Sequence, residues 1–212
     1  MKTRVYNLAL TILVLMAALT ATPVLADDAL SQAQQLKAAF VCNFIKFVEW
    51  PNEKDVDHDK PITMGIIGSR DFVQAFEPIK HKKVKNRAVL IKHFAGYERL
   101  TKPSESDASI WQHKIAALQT CDVLFLCKCN DAHIGDPNEI VKALRGSSVL
   151  TVGETAGFLE SGGMINFLME GNKVRFEINL ASARQAKLQV RSQLLRLAQR
   201  VISEEPSDRE KR

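Results

Sequence analysis

The residues of this chain that could do chemistry are few, and they do not assemble into a reaction set. Cys127-x-Cys129-x3-His133 places two thiols and an imidazole close together, a ligand combination that suits zinc or copper(I). Its spacing is not that of the usual structural zinc patterns, no fourth ligand accompanies it, and in an oxidising compartment neighbouring thiols oxidise instead. No metal and no cofactor are therefore expected. The four cysteines, Cys42, Cys121, Cys127 and Cys129, allow three full pairings. If 123–127 is a strand rising about 3.3 Å per residue, Cys121 and Cys127 stand too far apart for the roughly 4.4–6.8 Å Cα separation of a disulfide. Either that strand is shorter or the partner lies elsewhere. Cys42, on a helix flank, is expected buried and reduced. His58, His93 and His113 have no nucleophile beside them, and the sequence holds no nucleophile elbow and no phosphate loop, so no catalytic residue is assigned.

Two cationic features remain. The run Lys80-His81-Lys82-Lys83-Val84-Lys85-Asn86-Arg87 reads as a solvated turn or edge strand, where lysine discourages edge-to-edge pairing; the alternative is an anionic lipid surface or an acidic partner. Arg175 alternates with Glu177 on one face of a strand, opposite Val174, Phe176 and Ile178. That makes it an exposed or paired arginine, or a ligand contact beside the Gly-rich segment 157–163, where backbone amides can also point outward.

The elements that must position these residues alternate. Residues 30–48 carry a helical stripe of Leu36, Phe40, Phe44, Phe47 and Val48, with Asp28 or Ser31 as N-cap and Pro51 as terminator. Strands are expected at 62–67, 89–94, 123–127 and 149–152, with helical segments at 71–76, 109–118 and 138–144 between them. Runs 164–169 and 173–178 flank Glu170-Gly171-Asn172 and predict a hairpin, because Gly and Asn tolerate the positive φ of a tight turn. Leu188, Leu194, Leu195, Ala198, Val201 and Ile202 recur at threes and fours and predict a closing helix. Alternation of this kind implies an α/β fold: a single three-layer domain with a mostly parallel mixed sheet, a C-terminal hairpin and helices on both faces.

The ends bound the compartment. Lys2 and Arg4, then an apolar run over 8–19, then Val24-Leu25-Ala26 form a secretory signal peptide over 1–26; the competing membrane anchor would need roughly 20 apolar residues, and Thr20, Thr22 and Pro23 interrupt this run. No Cys follows the cleavage point, which argues against a lipid-anchored form. Cleavage lowers the net charge from +5 to +3, too mild an excess to imply nucleic acid. The domain is then 27–203, and the charged segment 204–212 is expected to be disordered.

KAAFVCNFIKFVEWP (37–51), CDVLFL (121–126), SVLTVGETAGFLESGGMINF (148–167), VRFEINLASA (174–183) and SQLLRLA (192–198) together resemble the YfiR family of exported bacterial proteins. The resemblance implies a periplasmic, non-enzymatic regulator that represses an inner-membrane diguanylate cyclase through its periplasmic domain, lowering cyclic-di-GMP and biofilm formation. It also implies an outer-membrane lipoprotein as a competing partner, other membrane sensors as alternative targets, and a bridge involving Cys121 and Cys129. A homodimer is left open. A repressor of this kind needs an exposed apolar surface. Val41, Ile45 and Trp50 fall partly off the helical stripe and are the first candidates; Leu159 and Met164, around the Gly-rich segment, are the second. The competing reading is a small-ligand sensor with a crevice at 68–71 and 153–154; an exported hydrolase ranks last.

Overall fold

The computed structural model describes residues 24–51, 53, 59–68, 70–80, 82–97, 107–127 and 136–204. The segment 1–23, Cys129, His133 and the tail after Glu204 lie outside the described residues. The chain divides into two compact units, Met1–Gln34 and Gln35–Arg212. Of the first, residues 24–34 are described and are helical. The sheet and the helices that cover it belong to the second.

Helix α1 (Val24–Phe47) begins earlier than the stripe suggests, because Ala, Leu and Gln between 25 and 36 are good helix formers. It runs into β1 (Val48–Glu49), then β2 (Ile62–Ile67), a short helix α2 (Arg70–Gln74), a single 3₁₀ turn (Glu77–Ile79), β3 (Lys83–Val84), β4 (Arg87–His93) and α3 (Ala108–Leu118). There follow β5 (Val123–Leu126), α4 (Pro137–Ala143), β6 (Leu150–Gly153), β7 (Ile165–Glu170), β8 (Lys173–Asn179) and α5 (Leu180–Gln185). The chain closes with β9 (Gln189–Val190), α6 (Ser192–Leu195) and β10 (Arg200–Ile202).

The main sheet has the order β10-β8-β7-β6-β5-β2-β4-β3, and β1 pairs separately with β9. From β7 to β4 every pairing is parallel; β8 runs antiparallel to β7 and parallel to β10, and β3 runs antiparallel to β4. Side-chain burial follows position in the sheet. Central strands β5 and β6 are buried at every residue, whereas β4, near one margin, alternates. Strands buried on both faces require helices on both faces, and two cores result. On one face Phe44 lies 5.5 Å from Phe167 and 5.0 Å from Phe176, while Phe72 stacks on Phe125 at 5.0 Å. On the other, Ile115 and Leu118 of α3, Ile140 and Val141 of α4, and Leu144 just after it, pack with Leu124, Leu126 and Phe158. The α/β three-layer architecture is the expected one.

One expectation fails. Residues 188–202 form two short strands around the four-residue helix α6. The spacing of leucines there is a by-product of tertiary pairing: Val48 meets Val190 across β1 and β9, and Arg200, Val201 and Ile202 pair in parallel with Glu177, Ile178 and Asn179. Lys187, at φ +61, breaks the chain out of α5, and Leu197, a member of the same C-terminal segment, is 65% exposed. Backbone pairing to an open sheet edge outweighs a helical stripe that has nothing to pack against.

Candidate functional site

The aromatic helix ends beside a cleft at the amino end of the sheet. Beyond β1, Trp50 is half-buried, with its indole Nε1 donating to the Asp122 carbonyl at 3.3 Å and its backbone N–H donating to Glu53 Oε2 at 3.1 Å. Glu53 in turn pairs with Lys85 at 2.6 Å, and the Lys85 ammonium lies 5.2 Å from the Trp50 ring centroid, a cation-π contact. Lys85 also donates to the Val48 carbonyl. Lys85 and Asn86 take φ +53 and +63, the two left-handed residues of a type I′ turn joining β3 to β4. The basic run is therefore a hairpin at the margin of the sheet, as expected, and one of its lysines clamps the Trp-Pro segment.

Trp50, Glu53, Lys60, Arg87, Asp122 and Ser148 line a cleft of about 410 Å³ at this end. Much of the wall is committed to structure. Arg87 is buried and donates to the carbonyls of Lys60 and Pro61 at 2.7 and 3.0 Å, and Asp122 accepts from the Thr63 amide at 2.7 Å. Cys121 also faces the cleft. Burial pushes its thiol up to about 11, with the Asp122 charge adding to the shift and Lys92 opposing it. The cleft presents charges of both signs around one aromatic ring.

Of the expected interface residues only Trp50 keeps an accessible surface. Val41 and Ile45 are 0% exposed, Leu159 1% and Met164 3%. The wide apolar arc of α1 is a core requirement, since Ala38, Cys42 and Phe44 are buried along with Val41 and Ile45, and the end of the helix is met by β9 through the Arg191 amide on the Phe47 carbonyl. Leu159 and Met164 are buried because the Gly-rich segment is folded around Phe158. A Cβ on Gly153 would come 2.4 Å from the Phe158 ring and one on Gly163 2.2 Å, so both positions need glycine for the ring to enter. Asn179, which the sequence reading passed over, locks that loop: its Nδ2 donates to the Leu159 carbonyl and its Oδ1 accepts from the Ser182 amide, both at 2.9 Å. A strand-final Asn directly before a helix is the sequence signal that could have found it.

Arg175 is exposed and pairs with Glu170 at 3.1 Å. It does not sit beside the Gly-rich loop: it lies four residues up β8 from Asn179, about 13 Å at strand rise. At the crevice expected at 68–71 and 153–154, neighbouring side chains take the space beside two of its glycines. Gly68 accommodates Cys127, whose Cβ stands 2.7 Å from the position a Gly68 Cβ would take, and Gly153 accommodates Phe158. Glu154 is paired with Lys37 of α1; Ser69 lies outside the described residues. Nearby, Asn138 Oδ1, Thr155 Oγ1 and Asn166 Oδ1 are buried without a hydrogen-bond partner.

Cys121 is a free thiol among the described residues, and Cys129, its expected partner, lies outside them. The Cys121 Sγ is packed against β2, 2.9 Å from where a Gly65 Cβ would stand, beside Leu124 on the face covered by α3. Cys42 is buried and free, and burial raises its pKa. Among the described residues no group of His, Cys, Asp and Glu could hold a metal ion, and no helix is long and apolar enough to cross a membrane.

Two solved structures resemble this chain at low identity. One is an ABC domain in complex with L-Trp from Streptococcus pneumonia, 15% identical with a TM-score of 0.49, the match covering 76% of this chain and 59% of that one. The other is a conserved domain protein from Vibrio cholerae O1 biovar El Tor str. N16961, 9% identical with a TM-score of 0.45, covering 66% and 54%. The chain thus spans a little over half the length of the solved structures it matches. No curated protein matches it. A family model described as YfiR/HmsC-like matches residues 34–199, from the end of the first unit through α6 and the turn before β10. The chain belongs to the YfiR/HmsC-like family, a family of periplasmic regulators in diguanylate cyclase signalling.

Proposed function

We propose that this protein is a non-enzymatic periplasmic repressor that binds the periplasmic domain of an inner-membrane diguanylate cyclase and holds it inactive, lowering cyclic-di-GMP and biofilm formation. The observation that carries this reading is the family match across 34–199, which takes in every element of the main sheet except β10. A repressor acts by binding the inactive conformation of its target more tightly than the active one, and shifts the equilibrium only by that difference. A second binder, such as an outer-membrane lipoprotein, reverses the effect by competing for the repressor.

The Trp50 cleft is the surface on which we place the partner. Aromatic anchors set in partly enclosed pockets dominate interfaces, and Trp50 is held rigidly by Asp122, Glu53 and Lys85. Lys60 is an exposed wall residue whose charge can be reversed without touching the core. Deleting the gene is expected to raise cyclic-di-GMP, and Lys60→Glu is expected to do so with an unchanged melting temperature. Ile45→Ala, a core change, should lower both stability and repression. Unchanged cyclic-di-GMP on deletion, in a strain that keeps a periplasmically regulated cyclase, would refute the repressor reading. The three unpartnered polar atoms at Asn138, Thr155 and Asn166 favour a second reading, a small polar ligand sensed at the carboxyl end of β6.

A further inference from the structure

The margin of the sheet formed by β4 is half used. Parallel pairing with β2 runs from Val89 to His93, but on the opposite side β3 pairs only with Arg87 and Ala88. The Val89 amide still reaches the Lys82 carbonyl at 3.3 Å. Backbone groups in a strand alternate sides, so after Val89 the groups that point away from β2 belong to Ile91 and His93. The Phe94 amide, which donates to Ile66 of β2 at 2.9 Å, has the opposite parity and confirms the assignment. Among the described residues no strand continues alongside Ile91 and His93. An edge of this kind is a template for another strand.

Its charge says which strand. Residues 80–93 contain six cations and no acid. Lys85 and Arg87 are committed to Glu53 and to the carbonyls of Lys60 and Pro61, and Lys80 is held loosely by Glu77 at 3.4 Å. Lys82, Lys83 and Lys92 are exposed, and Leu90, 49% exposed, stands between Ala88 and Lys92 on one face of β4. A second copy of the same edge would bring these lysines against each other, which disfavours self-pairing. An acidic strand would bring carboxylates opposite them, since opposite charges across a strand pair attract and like charges repel. A lipid surface would meet the ammonium groups but leave the outward backbone of Ile91 and His93 unpaired, so the geometry favours a polypeptide.

We propose that the free edge of β4 receives an extended acidic segment of a partner protein, which adds a strand beside Leu90–His93 and sets its carboxylates against Lys82, Lys83 and Lys92. This docking is independent of the cyclase reading, because it concerns the end of the β3–β4 hairpin away from the Lys85 turn that clamps Trp50, and needs no particular target.

The test uses the processed full-length protein and an acetylated, amidated peptide alternating Glu with Val and Thr, with a Lys-for-Glu version as control. Hydrogen exchange is followed residue by residue while binding is measured at two salt concentrations. The expected result is slowed exchange at Ile91 and His93 with the acidic peptide only, affinity falling severalfold on going from low to moderate salt, and at least a fivefold loss in K83E combined with K92E. Ile91→Pro removes an outward N–H without touching the ladder to β2 and should abolish binding; the lysine variants carry the test if that variant fails to fold. The proposal is overturned if the acidic peptide does not bind, if it binds without protecting Ile91 and His93, or if vesicles rich in phosphatidylglycerol depend on the same lysines while the peptide does not.

Discussion

Cys121 shows how the fold can give a residue a packing role that its sequence context does not announce. In sequence it is one of four cysteines in a chain whose first residues read as an export signal, and a natural disulfide partner. In the fold it stands at the foot of β5, its sulfur filling space that Gly65 leaves on β2. Burial raises the thiol from an ordinary value of 9.0 to about 11. The sign of the consequence follows from linkage: below pH 9 the thiol is protonated in both states and contributes nothing, whereas between 9 and about 11 only the unfolded chain releases the proton. Stability is therefore lost as pH rises through that window, by roughly 2–3 kcal/mol if the whole shift is realised. Chemical denaturation of Cys121→Ala at successive pH values should give a shallower alkaline decline than the parent protein. Parallel declines would mean that the thiol titrates near its ordinary value.

At the scale of elements, the strands were legible because each is a short apolar run bounded by breakers, and 62–67 is observed with its expected limits. The hairpin was legible for the same reason, with Gly171 alone supplying the positive φ. The Gly-rich loop was not. From sequence its glycines suggest flexibility or backbone exposure, but Gly163 in the loop and Gly153 at the end of β6 are needed for Phe158 to pass. Gly153→Ala is expected to cost roughly 2–3 kcal/mol, since the ring it would strike is fully buried and walled by backbone. Adding Phe158→Leu should recover part of that loss, and a double-mutant cycle by urea denaturation measures the coupling. Additive effects would show that the two residues do not share one space. The closing segment was misread because periodicity reports which residues are apolar, and only the open edge of β8 determines whether they pair as strand or pack as helix.

For the whole molecule, export is the first thing to establish. The protein is expected in the periplasm with Asp27 as its first residue, read by intact mass; a retained Met1 would contradict the cleavage signal at Val24-Leu25-Ala26. Such processing leaves the family region 34–199 whole. By itself the sequence determined the fold class, the order of the central elements and the family, because those depend on local apolar patterning and on motifs such as the aromatic helix and the Gly-Gly hairpin. It also placed the basic run at the margin of the sheet, since lysines crowded around a tight turn have few other places to go. What only the tertiary structure decided is which apolar residues are surface. Val41, Ile45, Leu159 and Met164 cannot be told from exposed anchors by composition, because exposure depends on what the rest of the chain lays over them. The pairing of Trp50 with Lys85, Glu53 and Asp122 was equally out of reach, for it joins segments that meet only once the sheet has formed.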